Sequence, residues 1–288
     1  MVDFTKYKRE NKNKITDLID KENTTNSLPR PYLGMSQIGG ECMRELWLYF
    51  RWAARDTIDG RVNRIFTTGH NAERFMIEHL ESIGVKTWDT LDAQAGFSEV
   101  DNYFRVHSDG IAKGIPDDEE ETYLLEFKTS SDKYFKKMVK EGVLKSKPTH
   151  YSQMQLYMHF SGAKKALYMV YNKNDSAYYT EVLESDESVA LDLVRKAEDI
   201  ITCDDLRQLP KIGNGSPSFF GCKFCNFSDV CHFDEKPVKT CRSCKRADLI
   251  GDGKWGCSLV DKEIPKEVEQ IGCSEYVLMD CFEGSASV

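Results

Sequence analysis

The chain has 288 residues, a net charge of −8, and 40% hydrophobic and 30% charged residues, the make-up of a globular protein with room for one large domain or one domain plus a small appendage. The acidic balance excludes a wholly basic nucleic-acid coat, though not a local basic groove. No apolar run approaches membrane-spanning length and the charged opening MVDFTKYKRENKNKI lacks the apolar stretch of a secretory signal, so a cytoplasmic protein with no membrane partner is expected, and its ten cysteines read as metal ligands rather than a disulfide framework.

Residues 1–30 are polar and lysine-rich and read as an N-terminal arm, either a short helix or a mobile segment. Ser36–Trp52 follows, with Leu46, Trp47, Tyr49 and Phe50 predicting a buried helix just after Cys42. Ile65–Ile83 has apolar residues at helical spacing and Gly84 as its stop. The period then changes. Val85–Leu91, Phe97–Ile111 and Thr122–Thr129 read as strands, the last two joined by the acidic turn Pro116–Glu121. Asp132–Glu141 reads as a short basic helix, and Pro148 opens another that closes at Gly162. Strands Lys165–Asn172 and Ala177–Leu183 flank an Asn-Lys-Asn-Asp turn, Asp186–Leu209 reads as an amphipathic helix, and Ile212–Ser218 as a loop. This order predicts an α/β domain with a central mixed sheet flanked by helices. After Pro237 the composition shifts to cysteine, glycine and charge, which marks a small appended module.

Chemistry concentrates around Asp109 and the strand that follows it. Alternate residues of a strand share a face, so Leu124, Glu126 and Lys128 point one way and Tyr123, Leu125 and Phe127 the other. Unpaired charge on a mostly apolar strand is costly to bury. A divalent cation held by Asp109 and Glu126 would account for it, with Lys128 placing a water or steadying a phosphate. The same residues also fit a half-exposed strand with an ordinary Glu–Lys pair. Seven lysines between Lys128 and Lys147 face only Asp132 and Glu141, a basic run suited either to a solvated helix face or to a phosphate backbone. Gln153 and Tyr157 lie four apart, on one face of their helix.

Asp109, Glu126-Phe127-Lys128 and Gln153-x-x-x-Tyr157 together resemble the PD-(D/E)XK nuclease superfamily in its RecB-like branch. The resemblance implies a restriction-endonuclease-like core. It also implies an acid or histidine on an early helix four residues after a glycine. Gly69 puts Glu73 at that position, with His70 as competitor. One departure is Ser108, which stands before the first acid where the superfamily usually has proline. Ser36, Cys42 and Arg44, with Cys222-x2-Cys225-x5-Cys231, resemble the branch whose cysteines from both ends of the nuclease domain hold a [4Fe-4S] cluster. CRISPR-associated spacer-acquisition exonucleases and the nuclease domain of AddB belong to that branch. Thiolates suit zinc as well as iron–sulfur clusters, so zinc is the rival occupant. Cys241-x2-Cys244 with Cys257 and Cys273 reads, independently of any family, as a four-cysteine zinc site in a module too small to fold on its own core, with His232 and Cys281 as alternative fourth ligands.

The expected organisation is therefore an arm over 1–30, a nuclease domain over 31–236 and a zinc-binding tail over 237–288. The resemblance implies a Mg²⁺- or Mn²⁺-dependent DNA exonuclease, with endonuclease activity open, from a bacterial or archaeal host or its phage. Asp109, Glu126 and the Phe127 carbonyl would hold the ion, with Glu73 or His70 completing its shell. Lys128, Gln153 and Tyr157 would complete the catalytic set. The rival is a nuclease-fold DNA-binding subunit of a recombination or CRISPR-adaptation complex, inactive or active only with a partner.

Overall fold

The structure, a computed structural model, describes residues 14–91, 94 and 96–283; residues 1–13 of the expected arm lie outside them. Helix α1 (Lys14–Glu22) and strands β1 (Thr25–Ser27) and β2 (Leu33–Gly34) lead to α2 (Met43–Phe50), β3 (Asp56–Ile58) and the long α3 (Gly60–Ser82). Then come β4 (Lys86–Trp88), β5 (Gly96–Glu99), β6 (Phe104–His107), β7 (Ile111–Ile115) and β8 (Asp118–Ser130). α4 (Asp132–Ser146) and α5 (Pro148–Ser161) cross over to β9 (Lys165–Asn172) and β10 (Tyr178–Glu184). α6 (Glu187–Thr202) is followed by α7 (Phe220–Lys223), α8 (Ser228–His232), β11 (Ala247–Leu249), β12 (Trp255–Cys257), β13 (Lys262–Glu263) and α9 (Lys266–Ile271).

The central sheet runs β10-β9-β8-β7-β4, with β8 and β9 parallel and the other pairs antiparallel. Alternation along β8 sends Tyr123, Leu125 and Phe127 into a cluster with Ala72, Met76, Ile77 and Leu80 of α3. Leu124 goes into the opposite cluster with Leu156 and Tyr157 of α5 and Ile200 of α6. The sheet is thus covered by helices on both faces, as the element order predicts. Among the described residues no helix is long and apolar enough to cross a membrane.

Several boundaries differ from expectation for local reasons. The single strand expected over Phe97–Ile111 is three, because Val100, Asp101 and Asn102 turn through left-handed backbone (φ 48°, 50° and 66°) and Gly110 breaks the chain again. β8 begins at Asp118 rather than Thr122, since Asp118 Oδ2 accepts from Tyr123 Oη at 2.7 Å and from Lys165 Nζ at 2.5 Å. The basic helix leaves helical geometry at Gly142 (φ 72°, ψ 171°), where Val143 N–H donates to Glu181 at 2.8 Å. The last long helix stops at Thr202. The backbone at Cys203 is extended, and its carbonyl accepts from Trp47 Nε1 at 2.7 Å and Arg51 at 3.2 Å.

Residues 237–283 pack into the same core as α2. Trp255 stacks at 5.6 Å from Phe50, and Phe282 at 5.7 Å from Trp47. Arg242, between two cysteines, is buried. It donates to Glu269 at 2.5 Å and to the carbonyls of Phe50 and Pro31, both at 2.9 Å, and lies 3.8 Å over the Trp52 ring.

Candidate active site

Asp109 leaves β6 and is aimed by Gly110. A Cβ at Gly110 would lie 2.5 Å from the Thr90 methyl and 3.0 Å from the Trp88 carbonyl, and its φ of 140° is one that side-chain-bearing residues rarely adopt. The Gly110 carbonyl accepts from Leu125 N–H at 2.9 Å, and Asp109 Oδ2 accepts from Phe127 N–H at 2.8 Å. Only glycine lets the chain turn here and bring the first acid against the second acidic strand.

Glu126 is fully buried on the α5 face of β8. Its Oε2 accepts from Gln153 Nε2 at 3.1 Å, and that nitrogen also contacts Tyr157 Oη at 2.5 Å, so the two helix residues four apart act together on one carboxylate. Glu126 Oε1 is ion-paired with Lys128, and Lys128 Nζ donates to the Phe127 carbonyl at 3.2 Å. Apart from that lysine charge, Oε1 has no aligned donor.

Glu73 reaches the same place from α3 and accepts from Gln94 at 3.2 Å. Its carboxyl is pushed up to about 7, by burial first and then by the charge of Asp109. Burial pushes Glu126 up to about 8, with Lys128 opposing and Asp109 adding. Burial works against the charge on Lys128, but Glu126 and Asp109 outweigh it and hold the ammonium above its ordinary value.

These groups fit a hard divalent cation. Three carboxylates and one carbonyl gather around a single ammonium, and that ammonium already bridges the Glu126 carboxylate and the Phe127 carbonyl as a stand-in positive charge. As the side chains stand, no group of three or more His, Cys, Asp or Glu among the described residues is arranged so as to hold a metal ion.

The site opens into a cleft of about 1150 Å³ that brings together Asp109, Glu73, His70, Phe127, Lys128, Gln153 and Tyr157. Its basic wall is not the lysine run. Of those lysines only Lys128 lines the cleft; Lys136 and Lys137 pair with Asp132 and Glu141 along α4, and Lys133 and Lys147 lie over the Tyr134 ring at 5.8 and 4.9 Å. Arg30, Arg74 and Arg105 stand there instead, with Tyr32 beneath Arg105 at 5.7 Å and the exposed Ile65 and Phe66 as an apolar flank. No local spacing marks these residues, because they come from three separated elements.

The cysteines gather in two places. Cys42 caps α2, its Sγ accepting from Glu45 N–H at 3.4 Å, and Cys225 Sγ accepts from Phe227 N–H at 3.5 Å. Burial, then Glu45, Cys42 and Cys231, pushes the Cys225 thiol up to about 12, and the charge of Cys231 also acts on Cys42 and Cys222. In the tail, Cys241, Cys244, Cys257 and Cys273 line one cavity of about 20 Å³. Burial, then those three neighbours, pushes Cys241 up to about 11. Val277 N–H donates to Cys244 Sγ at 3.4 Å. His232 and Cys281 do not line this cavity; Cys281 is buried near Arg51.

No family model and no curated protein matches the sequence. Among solved structures, the alkaline exonuclease LHK-Exo from Laribacter hongkongensis overlaps with a TM-score of 0.44 at 17% identity, over 59% of this chain and 86% of that one. The same enzyme in complex with dAMP gives 0.44 at 16%, with the same coverage. SSO0001 gives 0.39 at 18% identity, over 75% of this chain and 95% of that one. Overlaps of this size assign no family, and what the cleft can do rests on its own geometry.

Proposed function

We propose that the protein is a Mg²⁺- or Mn²⁺-dependent deoxyribonuclease with a restriction-endonuclease-like core, acting as an exonuclease on single-stranded DNA or DNA ends. One observation carries the reading: Asp109 and Lys128 meet at Phe127, with Glu126 paired to that lysine, in a cleft lined by arginines. Asp109, Glu126 and the Phe127 carbonyl would hold the ion, with Glu73 or His70 beside them. A cation bound there supplies an activated water and neutralises charge on the scissile phosphate. Lys128 steadies the attacking water or the phosphate, Gln153 and Tyr157 keep Glu126 in place, and Arg30, Arg74 and Arg105 hold the strand's backbone.

The test uses end-labelled linear DNA and circular single strands with Mn²⁺. Wild-type protein is expected to shorten the linear strands and spare the circles, and Asp109→Ala to leave both intact. Equal degradation by the two proteins would reject the assignment. DNA binding without cleavage in any divalent metal would favour the rival, a nuclease-fold binding subunit.

We further propose that Cys42, Cys222, Cys225 and Cys231 hold a [4Fe-4S] cluster and that Cys241, Cys244, Cys257 and Cys273 hold Zn²⁺. The amide N–H groups directed at sulfur and the mutual effect of the thiols support both sets. Anaerobically purified protein is expected to be brown and to contain about four iron atoms and about one zinc per chain. Zinc at about two per chain with no visible absorbance would replace the cluster by a second zinc.

A further inference from the structure

We infer that His150 is a phosphate-binding residue of this cleft: the Tyr168 hydroxyl bonded at Nδ1 leaves Nε2–H as an uncharged donor to a non-bridging oxygen of the bound strand. The inference rests on the nucleic-acid reading above and adds a contact that neither the acid pair nor Lys128 provides.

Tyr168 is fully buried in β9, in register with Glu126 on β8. Its hydroxyl lies 2.6 Å from His150 Nδ1 and has no other hydrogen-bond partner among the described residues. A buried phenol has one proton to place, and leaving it unpaired is costly; a phenol oxygen that goes without a donor loses far less. The hydroxyl therefore donates to Nδ1. That nitrogen is then bare, and the proton of the neutral ring sits on Nε2.

His150 stands in the first turn of α5 and lines the cleft with Thr149, Lys128 and Gln153. With Nδ1 turned to the sheet, Nε2 is the nitrogen left for the cleft. A neutral donor suits this place: Lys128 already brings the local positive charge, and a second cation beside it would be repelled.

The test is binding of a short fluorescein-labelled single-stranded oligonucleotide, followed by anisotropy, with Ca²⁺ replacing Mn²⁺ so that the strand is held uncut. A companion set of oligonucleotides carries one methylphosphonate each, at successive positions. His150→Ala is expected to weaken binding about tenfold, the scale of one hydrogen bond to a charged group. His150→Asn, whose amide falls at the Nδ1 position, should do the same. His150→Gln, whose amide nitrogen reaches the Nε2 position, should restore most of the affinity. In the wild type several methylphosphonate positions should weaken binding, and at one of them, costing about tenfold, the substitution should cost nothing more in His150→Ala while the others keep their effect. Tyr168→Phe should blunt the effect at that position alone, and it keeps the question answerable should the alanine variant melt early. A His150→Ala profile identical to the wild type, position by position, would overturn the assignment while leaving the nuclease reading intact. Failure of the wild type to bind any oligonucleotide would overturn both.

Discussion

Under the proposed function, replacing Glu126 with glutamine is expected to lower the DNA-cleavage rate by about 10³-fold and, without divalent metal, to raise stability at pH 8. Both effects come from one buried carboxylate. Its folded value is about 8 against an ordinary 4.5, so the folded protein binds the extra proton. Stability from this group is therefore complete below pH 4.5 and is lost as the pH rises through 8. Glutamine does not titrate and still accepts from Gln153. The variant should thus gain of order 2 kcal/mol over wild type on the alkaline side and nothing near pH 4. Divalent metal should narrow the gap by stabilising the wild type alone. Thermal melts from pH 4 to 8, with and without Mg²⁺, read all three. A gap independent of pH and metal would reject the idea that Glu126 is held for a cation.

The second large effect belongs to Arg242. Arg242→Met is expected to cost about 3–5 kcal/mol in urea unfolding, because it strands the Glu269 carboxylate and the carbonyls of Phe50 and Pro31 in the interior. Burial lowers the guanidinium only to about 10, so it is charged at neutral pH. Arg242→Lys keeps the charge but cannot reach three acceptors in a plane, and should fall between the two. The double variant Arg242→Met with Glu269→Met should recover part of the loss, since the stranded charge is then gone as well. A loss below about 1 kcal/mol for Arg242→Met would mean that the strut is no more than a surface pair.

How much of this was legible in the chain depends on how local the signal is. Glu126 and Lys128 share a face because strands alternate, and Gln153 and Tyr157 share one because helices repeat; both pairs meet as those periods require. Pro148 and Gly162 bracket α5, whose C-cap is left-handed at φ 74°. Non-local features were not legible. The cleft's arginines come from a loop, a helix and a strand, while Lys136 and Lys137 of the conspicuous lysine run pair along their own helix. Arg242 is a lone charge between two cysteines with no local partner in the sequence, and only the packed structure turns it inward. At Val100–Asn102 the Asp-Asn pair, a type that tolerates left-handed backbone, was the only mark of the turn, and the strand-like residues on both sides outweighed it.

The same reach of the tail sets an order in time. Arg44 and Trp47 of α2 donate to the carbonyls of Leu209 and Cys203, and Arg242 bonds back to Phe50 and Pro31, partners 165, 156, 192 and 211 residues away. A ribosome delivers the chain from its N-terminus, so α2 emerges long before the tail residues that complete its cover. Phe50 can meet Tyr103 early, but its face toward Trp255 and the Trp47 face toward Phe282 stay open, exposed or held by a chaperone, until those residues leave the tunnel. Pro31, next to the Arg30 and Tyr32 that form one wall of the cleft, is tied down by Arg242 at the same moment. Under the proposed function, the nascent chain would complete its DNA-cutting cleft only after Arg242 has been made and docked.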